Sequence, residues 1–315
     1  MSTAGQSSLP PVVAVIGPTA SGKTGLSLDL AERLGGEIVN SDAMQVYRGM
    51  DIGTAKLPPA ERRGIVHHLL DTLSVREPAT VAQFQEWARP LIAELRAAGR
   101  TPVLVGGSGL YTRAILDRFE FPATDPVVRG RLEAELAEVG ARAMHARLAA
   151  VDPAAAAGME PDNGRRAVRA LEVIELTGEP YAGALPELVY ADPHTVQIAL
   201  EIERPVLDAR IEQRVQDMFD AGFVAEVERL LAEGLAEGVT APRAIGYRQV
   251  MAHLAGDLTL AQAHEQIVFA TRRFARKQLG WWRKDPRIVW LDHDDPALVD
   301  KAVAAVAAVT RAASG

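Results

Sequence analysis

The chain has no cysteine, which excludes disulfides and thiolate-bound zinc and suits a reducing compartment. It has no apolar run approaching the ~18 residues of a membrane span. Its opening, MSTAGQSSLPP, lacks the basic and apolar regions of a secretory signal, so a cytoplasmic protein without a membrane anchor is expected. Internal repeats and low-complexity tracts are also missing. Basic residues are outnumbered, and the net charge of −7 taken alone argues against a polyanionic partner. Net charge says little about local patches, however. No strand edge or coiled coil advertises a second copy, so a monomer is expected.

What is present is enough apolar material, 48% of 315 residues, for sizeable cores and about two domains. VVAVIG, bounded by Pro11 and Gly17, reads as a short buried parallel strand. TGLSLDLAERLGG then sets Leu26, Leu30 and Leu34 on one helical face and stops at a glycine pair. EIVNSD reads as a strand, VAQFQEWARPLIAELRAAG as a helix and TPVLVGG as a strand. Strands alternating with helices predict an α/β fold with a parallel sheet core flanked by helices. Between residues 125 and 178 only helical periodicity occurs, and TVQIALEI then returns a strand to the sheet. The prediction is a core of residues 1–117 and 193–315 with an all-helical insertion, 118–192. The remainder reads as mostly helical, and HDDPALVD as a solvated turn.

Ligands of parallel sheets bind at the carboxyl ends of the strands. Three polar stretches fall there: GPTASGKT, NSDAMQVYRGM and GGSGLY. The first matches the phosphate loop G-x-x-x-x-G-K-[ST], formed by Gly17, Pro18, Thr19, Ala20, Ser21, Gly22, Lys23 and Thr24. Its glycines let N–H groups converge on phosphate oxygens, Lys23 adds a full positive charge, and Thr24 is placed to ligate Mg²⁺. The motif specifies phosphate and not what the phosphate is attached to, so ATP-binding remains open on the motif alone. Switch-type hydrolases place an Asp at the end of a later strand to hold the metal. TPVLVGGSG has no such carboxylate. Asp42 emerges beside the phosphate loop, either as a base for a nucleophile or as a turn residue; spacing leaves both open.

GPTASGKT, NSDAMQVYRGMDIGTAK, HHLLD, LVGGSGLY, DPVVR, RRAVRALEVIELTGEP, RAIGYRQ and RKQLGWWRK occur in one order along the chain. Together they resemble the tRNA dimethylallyltransferase (tRNA isopentenyltransferase) family of bacterial type. The resemblance implies a transferase that moves a dimethylallyl group from dimethylallyl diphosphate to N6 of adenine 37. The acceptor tRNAs would be those reading codons that begin with U. In that reading the loop and Mg²⁺ hold the diphosphate, Asp42 is the general base and Ser108 contacts the same nucleotide. Ser replaces the Thr often found there and keeps the hydroxyl. Arg129 and Arg214 are candidate cations for the diphosphate.

The resemblance also implies an RNA partner, the anticodon stem-loop. Asp42, Ala43, Met44 and Gln45 would meet the flipped nucleotide, with Ser108 and Arg129 nearby. Arg165, Arg166 and Arg169 open a helix of the insertion, which would clamp the anticodon stem. Arg243, Gly246 and Tyr247 match a further contact segment, with Tyr247 able to stack. Residues 272–287 carry seven Lys/Arg against one Asp, a local +6, including Arg276, Lys277 and Arg283. Helical spacing of ~100° per residue puts Phe274 with Trp281 on an expected core face and Arg272, Arg276 and Arg283 opposite. Three other readings stand beside this one: a kinase using ATP, a non-catalytic RNA-binding module, and a prenyltransferase acting on free AMP.

Overall fold

The computed structural model describes residues 9–122, 124–181 and 186–312. They form two compact units, Met1–Asp117 with Val189–Gly315, and Arg118–Leu188. No helix among the described residues is long and apolar enough to cross a membrane.

The larger unit opens with strand β1 (Val12–Ile16), helix α1 (Lys23–Leu34), β2 (Gly36–Asn40) and a two-residue strand β3 (His67–His68). Helix α2 (Val81–Ala97), β4 (Thr101–Gly106) and α3 (Gly109–Leu116) follow. The smaller unit is helical: α4 (Pro126–Val139), α5 (Ala141–Val151), α6 (Pro153–Ala157) and α7 (Gly164–Thr177). The chain then returns with β5 (Thr195–Glu201), α8 (Arg204–Asp220), α9 (Phe223–Ala232), α10 (Tyr247–Leu254), α11 (Leu260–Trp282), β6 (Ile288–Asp292) and α12 (Leu298–Ala312). The six strands order as β3-β2-β4-β1-β5-β6, and every pairing is parallel.

Both sheet faces are covered, which explains why the strands read as unbroken apolar runs rather than alternating ones. Val12, Ala14 and Ile16 of β1 face a core shared with α2, α3 and α8 to α11. Val13 and Val15 face the opposite core, built with Leu26, Leu30 and Ala31 of α1 and Ala302 and Val306 of α12. The four strands expected from sequence are all present. Strands β3 and β6 were not anticipated: β3 has two residues, too few for a periodic signal, and IVWLD lies in a region that reads as helical.

Residues 189–192 belong to the larger unit, so the compact helical unit ends at Leu188 rather than at the expected residue 192. Tyr190 bridges Asp117, accepts a hydrogen bond from Gln197 Nε2 at 2.9 Å and lies 4.0 Å beneath the Arg287 guanidinium. Asp192 pairs with Arg96 of α2.

Candidate active site

The turn after β1 is shaped by backbone that side chains avoid. Gly17 has φ +129° and Gly22, which caps α1, has φ +102°. Between them Ala20 holds φ +63°, a left-handed conformation costing an alanine about 1–2 kcal/mol. The loop closes on itself: Ser21 Oγ donates to the Pro18 carbonyl at 2.9 Å and Lys23 Nζ donates to the same oxygen at 2.5 Å. One remote side chain completes it. Gln278 of α11 accepts from Thr19 N at 2.9 Å and donates from Nε2 to Gly107 O at 2.8 Å, joining this loop to the exit of β4.

Because β4 lies between β1 and β2, three strand exits adjoin one another. The chain leaving β2 presses against β4: Ser41 N donates to Val105 O at 2.8 Å, and a Cβ on Gly106 would stand 2.2 Å from Ser41 Oγ. A Cβ on Gly107 would meet Gln278 Nε2 at 2.2 Å, and one on Gly109 would meet Trp281 Nε1 at 2.0 Å. The glycines of GGSG therefore admit β2 on one side and α11 on the other. Ser108 sits between them at the cap position of α3, half-buried, its hydroxyl bonding no helix N–H.

Asp42 fills the turn role and keeps its carboxylate among charged neighbours. Its Oδ1 accepts from Met44 N at 2.8 Å, and its own N–H donates to Asn40 Oδ1 at 2.9 Å, which makes it a turn residue. The same carboxylate faces two cations. Burial and, after it, the Arg214 guanidinium lower the Lys23 ammonium to about 7 against the opposing pull of Asp42. Burial also lowers Arg214, again against the pull of Asp42. Arg214 reaches this cluster from α8, next to the face that buries Ile211 and Val215. Two cations, a carboxylate, the exposed Thr24 hydroxyl and the loop N–H groups thus share one mouth.

Other residues expected at the site are placed as follows. Ala43 and Met44 pack on the core, and Gln45 Nε2 donates to Thr54 O at 3.1 Å. Tyr247 needs correction: it is 0% exposed and its hydroxyl donates to Glu226 Oε1 at 2.6 Å, so its ring is not presented for stacking. Gly246 is buried, whereas Arg243 is exposed. The face assigned to α11 also needs correction, because Phe274 is 41% exposed. The buried positions are Ala263, Ile267, Val268, Ala275, Gln278 and Trp282, while Trp281 is half-buried against the core. Arg272 pairs with the exposed Glu212 at 2.7 Å. Arg283 pairs with Glu201 at 2.6 Å. Arg273, Arg276 and Lys277 are exposed and pair with no acidic residue among the described residues. Arg248, Arg273 and Lys277 join Phe269 and Phe274 along a groove of about 560 Å³ between α10 and α11.

In the helical unit, Arg129 donates through Nε to Glu172 at 2.9 Å and Arg169 donates to the same buried carboxylate at 2.7 Å. These two guanidiniums are committed there. Arg165 is exposed and Arg166 half-buried. Sequence reasoning missed Gln278, although it lies within RKQLGWW; a glutamine between basic residues gave no sign that it turns inward.

A family model described as IPP transferase matches residues 45–285. A tRNA dimethylallyltransferase from a Nocardioides species is 70% identical over 298 residues, spanning 95% of this chain and 96% of the relative. One from Thermobifida fusca is 58% identical over 300 residues, spanning 94% of each chain. Among solved structures, the full-length tRNA isopentenylpyrophosphate transferase from Bacillus halodurans superposes with a TM-score of 0.71 at 38% identity, covering 97% of this chain and 99% of that one. A eukaryotic dimethylallyltransferase captured acting on tRNA gives 0.76 at 25% identity, covering 94% of this chain and 77% of that one.

Proposed function

The chain belongs to the IPP transferase family of tRNA dimethylallyltransferases, and from that premise we propose that it moves a dimethylallyl group from dimethylallyl diphosphate to N6 of adenine 37. The acceptors in this reading are tRNAs whose codons begin with U. The observation that carries it is the meeting of Asp42, Lys23 and Arg214 at one strand-exit mouth.

Transfer breaks the bond between the allylic carbon and the diphosphate oxygen, whose electron pair leaves with pyrophosphate. The adenine amine forms the new N6–C bond and must lose a proton. Charge therefore grows on the leaving group, where the loop N–H groups, Lys23 and Arg214 stabilise it. Asp42 takes the proton; its turn hydrogen bond from Met44 N fixes the carboxylate without neutralising it. Ser108, at the neighbouring exit, is the hydroxyl that meets the acceptor base. Thr24 is a hard oxygen donor of the kind Mg²⁺ takes, and the diphosphate supplies others. When bound, the ion neutralises part of the charge on the departing pyrophosphate.

An adenine must leave its stack to reach such a mouth. The exposed cations of α11, with Arg243 and Arg165, are the groups this reading assigns to the RNA backbone. A kinase reading gives Asp42 a use but leaves Arg273, Arg276 and Lys277 without one.

The test is incubation with Mg²⁺ and labelled dimethylallyl diphosphate, offering tRNA and AMP in parallel, then nuclease digestion and chromatography. Label is expected in N6-dimethylallyladenosine from tRNA alone, at position 37. Transfer only to AMP, or phosphoryl transfer from ATP without prenylation, overturns the proposal.

A further inference from the structure

We infer that Glu226 of α9, with Tyr247 and Arg229, is a positioning residue that sets the acceptor side of the site; this rests on the dimethylallyl-transfer reading above. Glu226 is 6% exposed, yet its carboxylate is saturated. Oε2 accepts Asp51 N at 3.0 Å and Ile52 N at 2.7 Å, while Oε1 accepts Gly53 N at 3.1 Å and Tyr247 OH at 2.6 Å. Three consecutive N–H groups converging on one anion form a nest, here filled by the protein's own carboxylate. Such charge-assisted bonds are the strong ones, and removing the acceptor strands three backbone donors.

The neighbouring contacts make this a clamp. Phe223, Glu226 and Arg229 recur every three residues, so they share one face of α9. Phe223 and Tyr247 meet edge to face at 5.1 Å, and a Cβ on Gly53 would stand 2.2 Å from the Phe223 ring and 2.6 Å from that of Tyr247. Arg229 donates to Gly49 O at 2.8 Å. The clamped segment is continuous with the acceptor side. Ala55 N donates to Ile52 O and Lys56 N to Asp51 O, both at 2.9 Å, so residues 51–56 move as one turn. That turn supplies Thr54 O, which holds Gln45, and the Lys56 ammonium, which holds Tyr47 O at 2.9 Å. The diphosphate loop has no part in this chain of contacts; Gln278 holds it instead.

Glu226→Gln keeps the size but aims an NH₂ group at backbone donors. Steady-state kinetics are expected to show kcat/KM for tRNA falling about ten- to hundredfold, as misplacement by about 1 Å costs. KM for dimethylallyl diphosphate should stay within about twofold. Tyr247→Phe, which removes one donor and keeps the packing, should act in the same direction by about fivefold. Amide hydrogen exchange gives a second readout: residues 43–53 should exchange faster in Glu226→Gln while 12–24 do not change. Unchanged exchange at 51–53 overturns the clamp. Faster exchange with unchanged tRNA kinetics overturns the positioning role, as does an equal rise in both KM values. Failure of the wild-type protein to prenylate tRNA strikes the reading beneath, and the exchange data then decide the clamp alone.

Discussion

Two loops leave neighbouring parts of one sheet and are held in opposite ways. The loop after β1 is closed by its own residues, Ser21 and Lys23 on the Pro18 carbonyl, with Gln278 the remote side chain that hydrogen-bonds to it. The loop after β2 is held from afar, by Glu226 on residues 51–53, Arg229 on Gly49 and Asp71 on Lys56. The difference follows from what each is proposed to grip. A phosphate is bound by backbone N–H groups within one turn, so a short motif suffices. A base held for chemistry needs side chains fixed in position and orientation, and here distant elements add their grip to the loop's internal contacts.

The comparison breaks first at Asp42. Asp42→Asn keeps an oxygen for Met44 N and so keeps the turn, but loses the proposed base. A fall in kcat of about 10²–10⁴-fold is expected, with tRNA binding by filter retention nearly unchanged. Wild-type turnover in Asp42→Asn would move the base elsewhere.

Glycine substitutions sharpen the contrast. Gly53→Ala drives a methyl group into two buried rings and should cost about 1–3 kcal/mol in chemical denaturation. Gly22→Ala meets only Leu200 Cδ1, at 3.6 Å, and should cost about 1–2 kcal/mol through its φ of +102°. Trimming Phe223 should relieve part of the first strain, leaving the contact with Tyr247, and none of the second.

Charge on the first loop depends on pH. Lys23 is lowered from 10.5 to about 7, so its ammonium is charged below pH 7 and is lost as pH rises through 7. In the proposed reading diphosphate binds the charged form, so affinity measured by calorimetry should fall by up to about tenfold per pH unit above 7. The same shift means the folded chain binds fewer protons than the unfolded one between pH 7 and 10.5, so this group's contribution to stability improves as pH rises across that window. Lys23→Arg should flatten the binding profile. The smallest effect belongs to Ala20→Gly, which relieves a left-handed alanine but adds chain entropy; a stability change under about 1 kcal/mol is expected by thermal melting.

The same asymmetry governs what the sequence disclosed. GPTASGKT named its own turn and helix because the constraints on it, Gln278 apart, are local. Asp42 was visible as a carboxylate at a strand exit, while its position opposite Lys23 and Arg214 was not. Tyr247 reads identically whether it faces RNA or Glu226, and only burial distinguishes the two. Charge counting was equally blind to partners: on α7 Arg169 shares the buried Glu172 with Arg129 from α4, whereas on α11 Arg276 and Lys277 meet no acid among the described residues.

By itself, the sequence determined the alternation of strands and helices, the helical insertion and the turn and helix of GPTASGKT, since periodicity and backbone stereochemistry act within a few residues. The tertiary structure alone decided that α11 turns Gln278 inward and Phe274 outward, that a two-residue strand closes the sheet edge, and that Glu226 grips a loop more than a hundred and seventy residues before it. Those outcomes depend on which surfaces meet after folding. A contact between distant residues is set by the packing of whole elements, and no window of sequence contains it.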